Sequence, residues 1–257
     1  MKDQLQSGLL DGQAFIMLGA GGDGIGTATC KALRAAGASL LCVDKDAEQA
    51  RSVAAAVNGI AHTADLTSRS EMQSVFEVAQ RVFGSDLRGV VDVVGAAQPG
   101  SIQETDDEDI ERQVSRNLRH AWLAIQIGGP VLAANGGGVM TFVGSLAGCS
   151  VMPRQAVYGM TKAALHHLVR YAALEFGGRG LRINAVAPGF VRTPRILASF
   201  PETFLNAVAK SIPLGRIAEP EDIAKVILFL SSNLADYVSG QVLMLDGGAS
   251  TASQNWQ

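Results

Sequence analysis

Read for its apolar and polar positions, the chain alternates two kinds of segment. Short runs rich in Val, Leu and Ile have no polar break, as strands buried on both faces do, and longer stretches of helical periodicity lie between them. The runs predict strands at Ala14 to Leu18, Ser39 to Val43, Ile60 to Thr63, Gly89 to Val93, Gly138 to Val143, Arg182 to Ala187 and Gln241 to Leu245. Helices fill the gaps. Steady alternation of strand and helix predicts an α/β architecture, a doubly wound parallel sheet of about seven strands with helices on both faces.

Local signals place some boundaries. The first helix runs from about Ile25 to Ala36, where Gly37 can take the left-handed conformation that ends helices. Asp46 followed by Gln49 three residues on is a capping pair for the helix around Ala50 to Val57, which leaves Asp44 free for another role. Pro188 to Ser211 reads as a long loop studded with apolar residues, and about residues 190–212 are expected to cover substrate. With no repeat and no interdomain linker, residues 1–257 are expected to form one domain.

Composition narrows the function classes. A chain of 257 residues, 47% of them apolar, can bury one sizeable core. A formal charge of −3, a pI near 5.8 and scattered Lys and Arg give no basic face, so no nucleic-acid partner is expected. Cys30, Cys42 and Cys149 are odd in number and widely spaced, which suggests neither a disulfide framework nor a metal site and fits a cytoplasmic setting. Met1 to Asp11 carries no basic segment followed by a long apolar run, and nowhere do about eighteen apolar residues follow one another. No membrane partner is expected.

The first strand runs directly into Gly19-Ala20-Gly21-Gly22-Asp23-Gly24-Ile25-Gly26, after which helical periodicity begins. Strand, glycines and helix in that order let a backbone approach a pyrophosphate, with unpaired N–H groups at the helix start. Gly19, Gly24 and Ile25 are the cofactor candidates there, although a glycine-rich turn alone is often only a tight turn. Asp44 ends the second strand eighteen residues after Gly26, where its carboxylate can accept hydrogen bonds from both hydroxyls of an adenosine ribose and repel a 2′-phosphate. That favours NAD over NADP, with Lys45 pulling the other way. Asp65-Leu66 after the third strand could present a carboxylate and an amide to the adenine edge, or Asp65 could cap a turn; spacing leaves both open.

Tyr158 and Lys162 lie four residues apart at the start of an apolar helix, on one face of it. A free tyrosine titrates near about 10, too high for a base at neutral pH. A nearby ammonium and an oxidised nicotinamide would each favour the phenolate, by roughly 1 to 3 units for a close charge, and make Tyr158 a usable acid/base. Ser145 follows the strand ending at Val143, at the carboxyl edge where such sheets bind ligands, and with Tyr158 it could hold the reacting oxygen of a substrate. In isolation a Tyr and Lys so spaced are more often surface residues, and the surrounding signals reverse that. By position alone Asn117 is only a polar helix residue.

With these residues assembled in this order, the sequence resembles the short-chain dehydrogenase/reductase family over nearly its whole length. Tyr158-Gly159-Met160-Thr161-Lys162 matches the family's Tyr-x-x-x-Lys, Ser145 precedes it by thirteen residues, and Asn184 to Thr193 resembles its nicotinamide-side segment. The resemblance implies a Rossmann fold and an NAD-dependent exchange between a secondary alcohol and a ketone. It implies that Pro188, Gly189, Val191 and Thr193 contact the nicotinamide half, that Lys162 holds the nicotinamide ribose, and that Gly95 lets the cofactor approach. Asn117 becomes a catalytic candidate, holding a water that links Lys162 to solvent, and a homotetramer, or failing that a homodimer, is implied.

Departures from the family pattern are visible too. Gly19 and Gly24 enclose four residues where the family has three, which brings in Asp23, and Leu18 replaces a threonine. Asp92-Val93-Val94-Gly95 stands where the family shows Asn-Asn-Ala-Gly. Ile196, Leu197, Phe200, Phe204, Leu205 and Val208 suggest a cyclic or steroid-like substrate, or ordinary packing. Arg154 and Arg195 could instead meet a carboxylate or an acyl carrier, which keeps a 3-oxoacyl-thioester reductase as the enzymatic alternative. From other classes, a methyltransferase or a non-catalytic nucleotide-binding protein would share the glycine turn and Asp44 but have no use for Ser145, Tyr158 and Lys162.

Overall fold

The computed structural model describes residues 8–251; the sequence reading of Met1 to Asp11 lies, as far as Ser7, outside them. Seven strands in the described residues, β1 (Ala14–Leu18), β2 (Ser39–Asp44), β3 (Ile60–Thr63), β4 (Leu87–Asp92), β5 (Gly138–Val143), β6 (Leu181–Pro188) and β7 (Val242–Leu245), form one sheet in the order β3-β2-β1-β4-β5-β6-β7. Every pairing is parallel. The predicted strands are all present, with ends within two residues of expectation.

Helices cover both faces, and the strand alternation shows why. Ile16 and Leu18 of β1 pack with Met72 and Phe76 of α3 (Arg69–Phe83), on the face that also carries α5 (His120–Ala134) and α6 (Ala156–Gly177). Phe15 and Met17 point the other way, onto Leu33 of α1 (Ile25–Ala35) and Ile227 of α9 (Pro220–Ser231), with α2 (Ala47–Ala56) beside them. Successive side chains on a strand face opposite ways, so a strand without polar breaks requires cover on both sides. Each fully buried Phe or Leu contributes roughly 1.5 to 3 kcal/mol.

Local signals hold in detail. Asp46 caps α2, accepting from the Glu48 and Gln49 amides at 2.9 and 3.1 Å. Gly37, with φ +102°, follows the end of α1. Between β4 and β5 the chain forms α4 (Asp107–Val114), then one wide π-helical turn (Ser115–Arg119), then α5.

The predicted loop over Pro188 to Ser211 is corrected. β6 extends through Pro188, and two helices follow, α7 (Pro194–Ser199) and α8 (Glu202–Ser211). Thr193 caps α7 and Pro194 occupies its first turn, both ordinary helix-start signals. Six residues are too few for a helical period to emerge from the sequence, which is why α7 read as loop. The pair carries its own small core of Leu205, Ile212 and Ile217, with Phe190, Ile196, Phe200 and Val208 packed against it.

Strand order reverses between β1 and β4, so their following segments leave on opposite faces and open a crevice at the carboxyl ends. The site lies there.

Candidate active site

A cleft of about 820 Å³ runs along the carboxyl edge of the sheet, within the range of small-molecule sites. The cofactor candidates Gly19, Gly24, Ile25, Asp44, Asp65, Leu66, Gly95, Pro188, Gly189, Val191 and Thr193 all line it, and so do Ser145, Tyr158 and Lys162. Gly21, Gly22, Phe190, Arg195, Ile196 and Phe200 line it as well.

At one end the glycine turn packs against the start of α1. A Cβ on Gly26 would lie 2.2 Å from the Gly19 carbonyl oxygen, so only glycine lets helix and strand come this close. A Cβ on Gly24 would stand 3.5 Å from Thr193, filling the space between the turn and the segment after β6. Asp44 reaches over the turn: its carboxylate accepts from the Gly21 amide at 3.0 Å and from the Asp46 amide at 3.1 Å. Asp65 settles part of its ambiguity. Its carboxylate accepts from the Thr67 amide at 2.9 Å and hydroxyl at 2.7 Å, so it caps a turn while still lining the cleft. Those hydrogen bonds hold it below the usual carboxylate range.

At the other end four distant segments converge. Ser145 follows β5 and caps a short turn, its hydroxyl accepting from the Ala147 amide at 3.2 Å. Tyr158 and Lys162 sit one turn apart near the start of α6, with the Lys162 Nζ 5.9 Å from the tyrosine ring centre. Lys162 is 2% exposed and donates to the Val143 carbonyl at 2.9 Å. Burial pushes its pKa down to about 8, against an upward pull from Asp92. Gly95, with φ +139°, brings the segment after β4 against it, since a Cβ there would lie 3.0 Å from both Lys162 Nζ and Asn117 Oδ1.

Tyr158 behaves differently from the sequence expectation. Desolvation pushes its pKa up, and the groups pulling it down are the Ser145 hydroxyl and the Arg195 guanidinium rather than Lys162. The reason is that Lys162 is turned towards β5 and held by Val143, where burial weakens its own charge. Asn117 is fully buried: its Oδ1 accepts from the Ala96 amide at 2.8 Å and its Nδ2 donates to the Gln113 carbonyl at 3.0 Å. It sits in the π-helical turn and fixes the cleft wall beside Gly95.

The match with known proteins fits this geometry. Residues 19–250 match the family model described as Enoyl-(Acyl carrier protein) reductase. The chain belongs to the short-chain dehydrogenase/reductase family. It is 35% identical over 247 residues to a galactitol 2-dehydrogenase (L-tagatose-forming) of Cereibacter sphaeroides, covering 93% of this chain and 95% of the relative. It is 31% identical over 244 residues to a 3-oxoacyl-(acyl-carrier-protein) reductase of Thermotoga maritima, covering 93% and 98%. Among solved structures, a 7α-hydroxysteroid dehydrogenase complexed with NADH and 7-oxo glycochenodeoxycholic acid superposes with a TM-score of 0.89 at 30% identity, over 96% of this chain and 97% of that one. The protein is therefore an oxidoreductase of a family that binds a nicotinamide cofactor.

Against the family pattern, the departures resolve by geometry. The extra residue in the glycine turn is taken up at Asp23, which adopts φ +47° and is exposed, clear of the cleft lining. Aspartate tolerates that left-handed conformation better than most residues. Asp92 turns away from the cleft into the core, where His120 meets it. His120 was missed from sequence, because a histidine in an apolar helix carries no signal of its partner. Arg154 is exposed, pairs with Glu104 at 2.9 Å and does not line the cleft.

Of the apolar residues assigned to the substrate, Ile196 and Phe200 line the cleft, whereas Leu205 and Val208 belong to the small core of α7 and α8. Phe200 and Phe204 stack with ring centres 4.7 Å apart. No helix among the described residues is long and apolar enough to cross a membrane.

Proposed function

We propose that this protein is an NAD-dependent oxidoreductase interconverting a secondary alcohol and a ketone, with Tyr158 as the acid/base. The observation that carries the reading is the joint presence, in one cleft, of Ser145, Tyr158 and Lys162 at one end and Asp44 at the other. The glycine-lined turn would take a pyrophosphate, Asp44 would accept from the adenosine ribose, and Pro188, Gly189, Val191 and Thr193 would hold the nicotinamide half. When bound, the nicotinamide supplies the hydride acceptor or donor. Ser145 holds the substrate oxygen, and Tyr158 takes the alcohol proton in oxidation or returns it in reduction. Lys162 holds the nicotinamide ribose. Asn117 positions the wall beside Gly95 and, by family analogy, the water that leads protons out.

Asp44 supports NAD over NADP, because a carboxylate there repels a 2′-phosphate. Ile196 and Phe200 support an apolar or cyclic substrate. A second reading, reduction of a 3-oxoacyl thioester, is favoured by Arg195, which lines the cleft near Tyr158 and pairs with no acid among the described residues. A homotetramer in the cytoplasm is the expectation from family analogy and cysteine usage. The test is parallel titration with NAD and NADP, then reduced-cofactor absorbance across hydroxysteroids, polyols and hydroxyacyl thioesters. Turnover with NAD on a cyclic alcohol supports the first reading, turnover only with thioesters the second, and binding of neither cofactor overturns both.

A further inference from the structure

Lys162 is a buried cation whose protein hydrogen-bond partner is one carbonyl, that of Val143. A buried charge left without an opposite charge is costly and tends to neutralise instead. Asp92 ends β4 and pairs with Phe142 of β5, the neighbour of the Val143 whose carbonyl holds Lys162; it is 1% exposed, and its charge favours the lysine ammonium. Asp92 is itself held on both oxygens: Oδ1 accepts from the Val94 amide at 2.9 Å, and Oδ2 lies 2.6 Å from Nδ1 of His120, the first residue of α5 and 1% exposed. Lysine, aspartate and histidine thus form a buried series behind the cleft, at the place where the family's asparagine would carry no charge.

The other titratable or polar groups facing Lys162 do not supply that charge. Tyr158 and His166 share its helix; His166 is itself depressed to about 4 by burial, and the lysine charge contributes to that. Asn117, whose Oδ1 and the Lys162 Nζ both stand 3.0 Å from a Cβ placed on Gly95, is neutral. Beyond β5, Cys149 lies 3.6 Å from His166, and burial pushes its thiol up.

We propose that Asp92 and His120 form a positioning pair in which His120 and the Val94 amide hold the Asp92 carboxylate as the countercharge of the Lys162 ammonium, setting the upper pH limit of catalysis. The inference rests on the acid/base reading of Tyr158 and Lys162 given above. The pair also explains the departure at Asp92: an aspartate here requires a donor across the sheet face, and His120 provides it.

Asp92→Asn is the decisive variant, because it removes the charge and keeps the shape. Its amide oxygen can still accept from Val94, and its amide N–H can donate to the other tautomer of His120. The Lys162 side-chain NMR resonance is expected to titrate about one pH unit lower than in wild type, since a close opposite charge shifts a pKa by roughly 1 to 3 units. The alkaline limb of kcat should move down with it while NAD affinity is kept. His120→Gln, which retains an N–H for the carboxylate, should leave the lysine titration near wild type.

An Asp92→Asn protein whose Lys162 titrates as in wild type overturns the proposal. So does a His120→Gln shift as large as that of Asp92→Asn, because packing rather than charge would then be the cause. If Asp92→Asn does not fold, the carbon-13 resonance of the wild-type Asp92 carboxyl decides: ionised between about pH 6 and 8 supports the pair, protonated there overturns it. The lysine resonance needs no turnover, so an enzyme inert towards all alcohols would sink the reaction and leave this test standing.

Discussion

The two ends of the cleft are built on different physics. The end proposed for adenosine is drawn from residues 19–66, and its shape comes from glycines and backbone amides: Gly26 lets α1 approach β1, and the Gly21 amide holds Asp44. The end proposed for reaction draws Gly95, Asn117, Ser145, Tyr158 and Lys162 from separate elements and depends on buried charge. Steric fit governs the first and electrostatic balance the second, so substitutions at the two ends should fail in distinguishable ways.

The largest effect is expected at the reaction end. Tyr158→Phe should lower kcat by about 10² to 10⁴, the usual contribution of a positioned acid/base, while NAD affinity measured by calorimetry stays within a few-fold. Substantial residual turnover would remove Tyr158 from its role.

Lys162 gives the next test, through stability instead of rate. Its folded-state pKa of about 8 lies below the ordinary 10.5, so between those values the unfolded chain keeps a proton that the folded chain has released. Stability should therefore rise with pH across that window, by roughly 3 kcal/mol in total from this group. Urea unfolding from about pH 8 to 10.5 should show wild type gaining stability relative to Lys162→Met as pH rises. Equal slopes would mean that the lysine is not paying for burial.

Two smaller effects probe the adenosine end. Gly26→Ala puts a methyl group into the Gly19 carbonyl and should cost about 1 to 3 kcal/mol, read as a lower urea midpoint. An unchanged midpoint would show that helix and strand can part without penalty. Asp44→Ala should weaken NAD binding about tenfold, the size of a lost hydrogen bond to a charged group, and narrow the gap between NAD and NADP. If NADP affinity falls equally, Asp44 supports the turn through Gly21 and does not discriminate the ribose.

How much of this was legible beforehand follows the same division. All seven strands, the Asp46 cap and Gly19, Gly24, Ile25, Asp44, Asp65 and Leu66 of the cleft lining could be read from local order, because glycine turns and strand ends are short-range patterns. Tyr158 and Lys162 were legible from helix spacing. Their electrostatics were not: the downward pull on Tyr158 comes from Ser145 and Arg195, and Lys162 turns to Val143. Helices α7 and α8 are too short, at six and ten residues, for a helical period to stand out in the sequence.

The sequence by itself therefore determined the element order and the parallel sheet and singled out Ser145, Tyr158 and Lys162, which the fold gathers in one cleft, since strand alternation, turn chemistry and helical spacing are properties of neighbours along the chain. Only the tertiary structure decided which charges are buried together. Asp92 and His120, twenty-eight residues apart, meet at 2.6 Å because β4 and α5 pack in the core. Electrostatic energy depends on separation and desolvation in space, and neither is written in sequence distance.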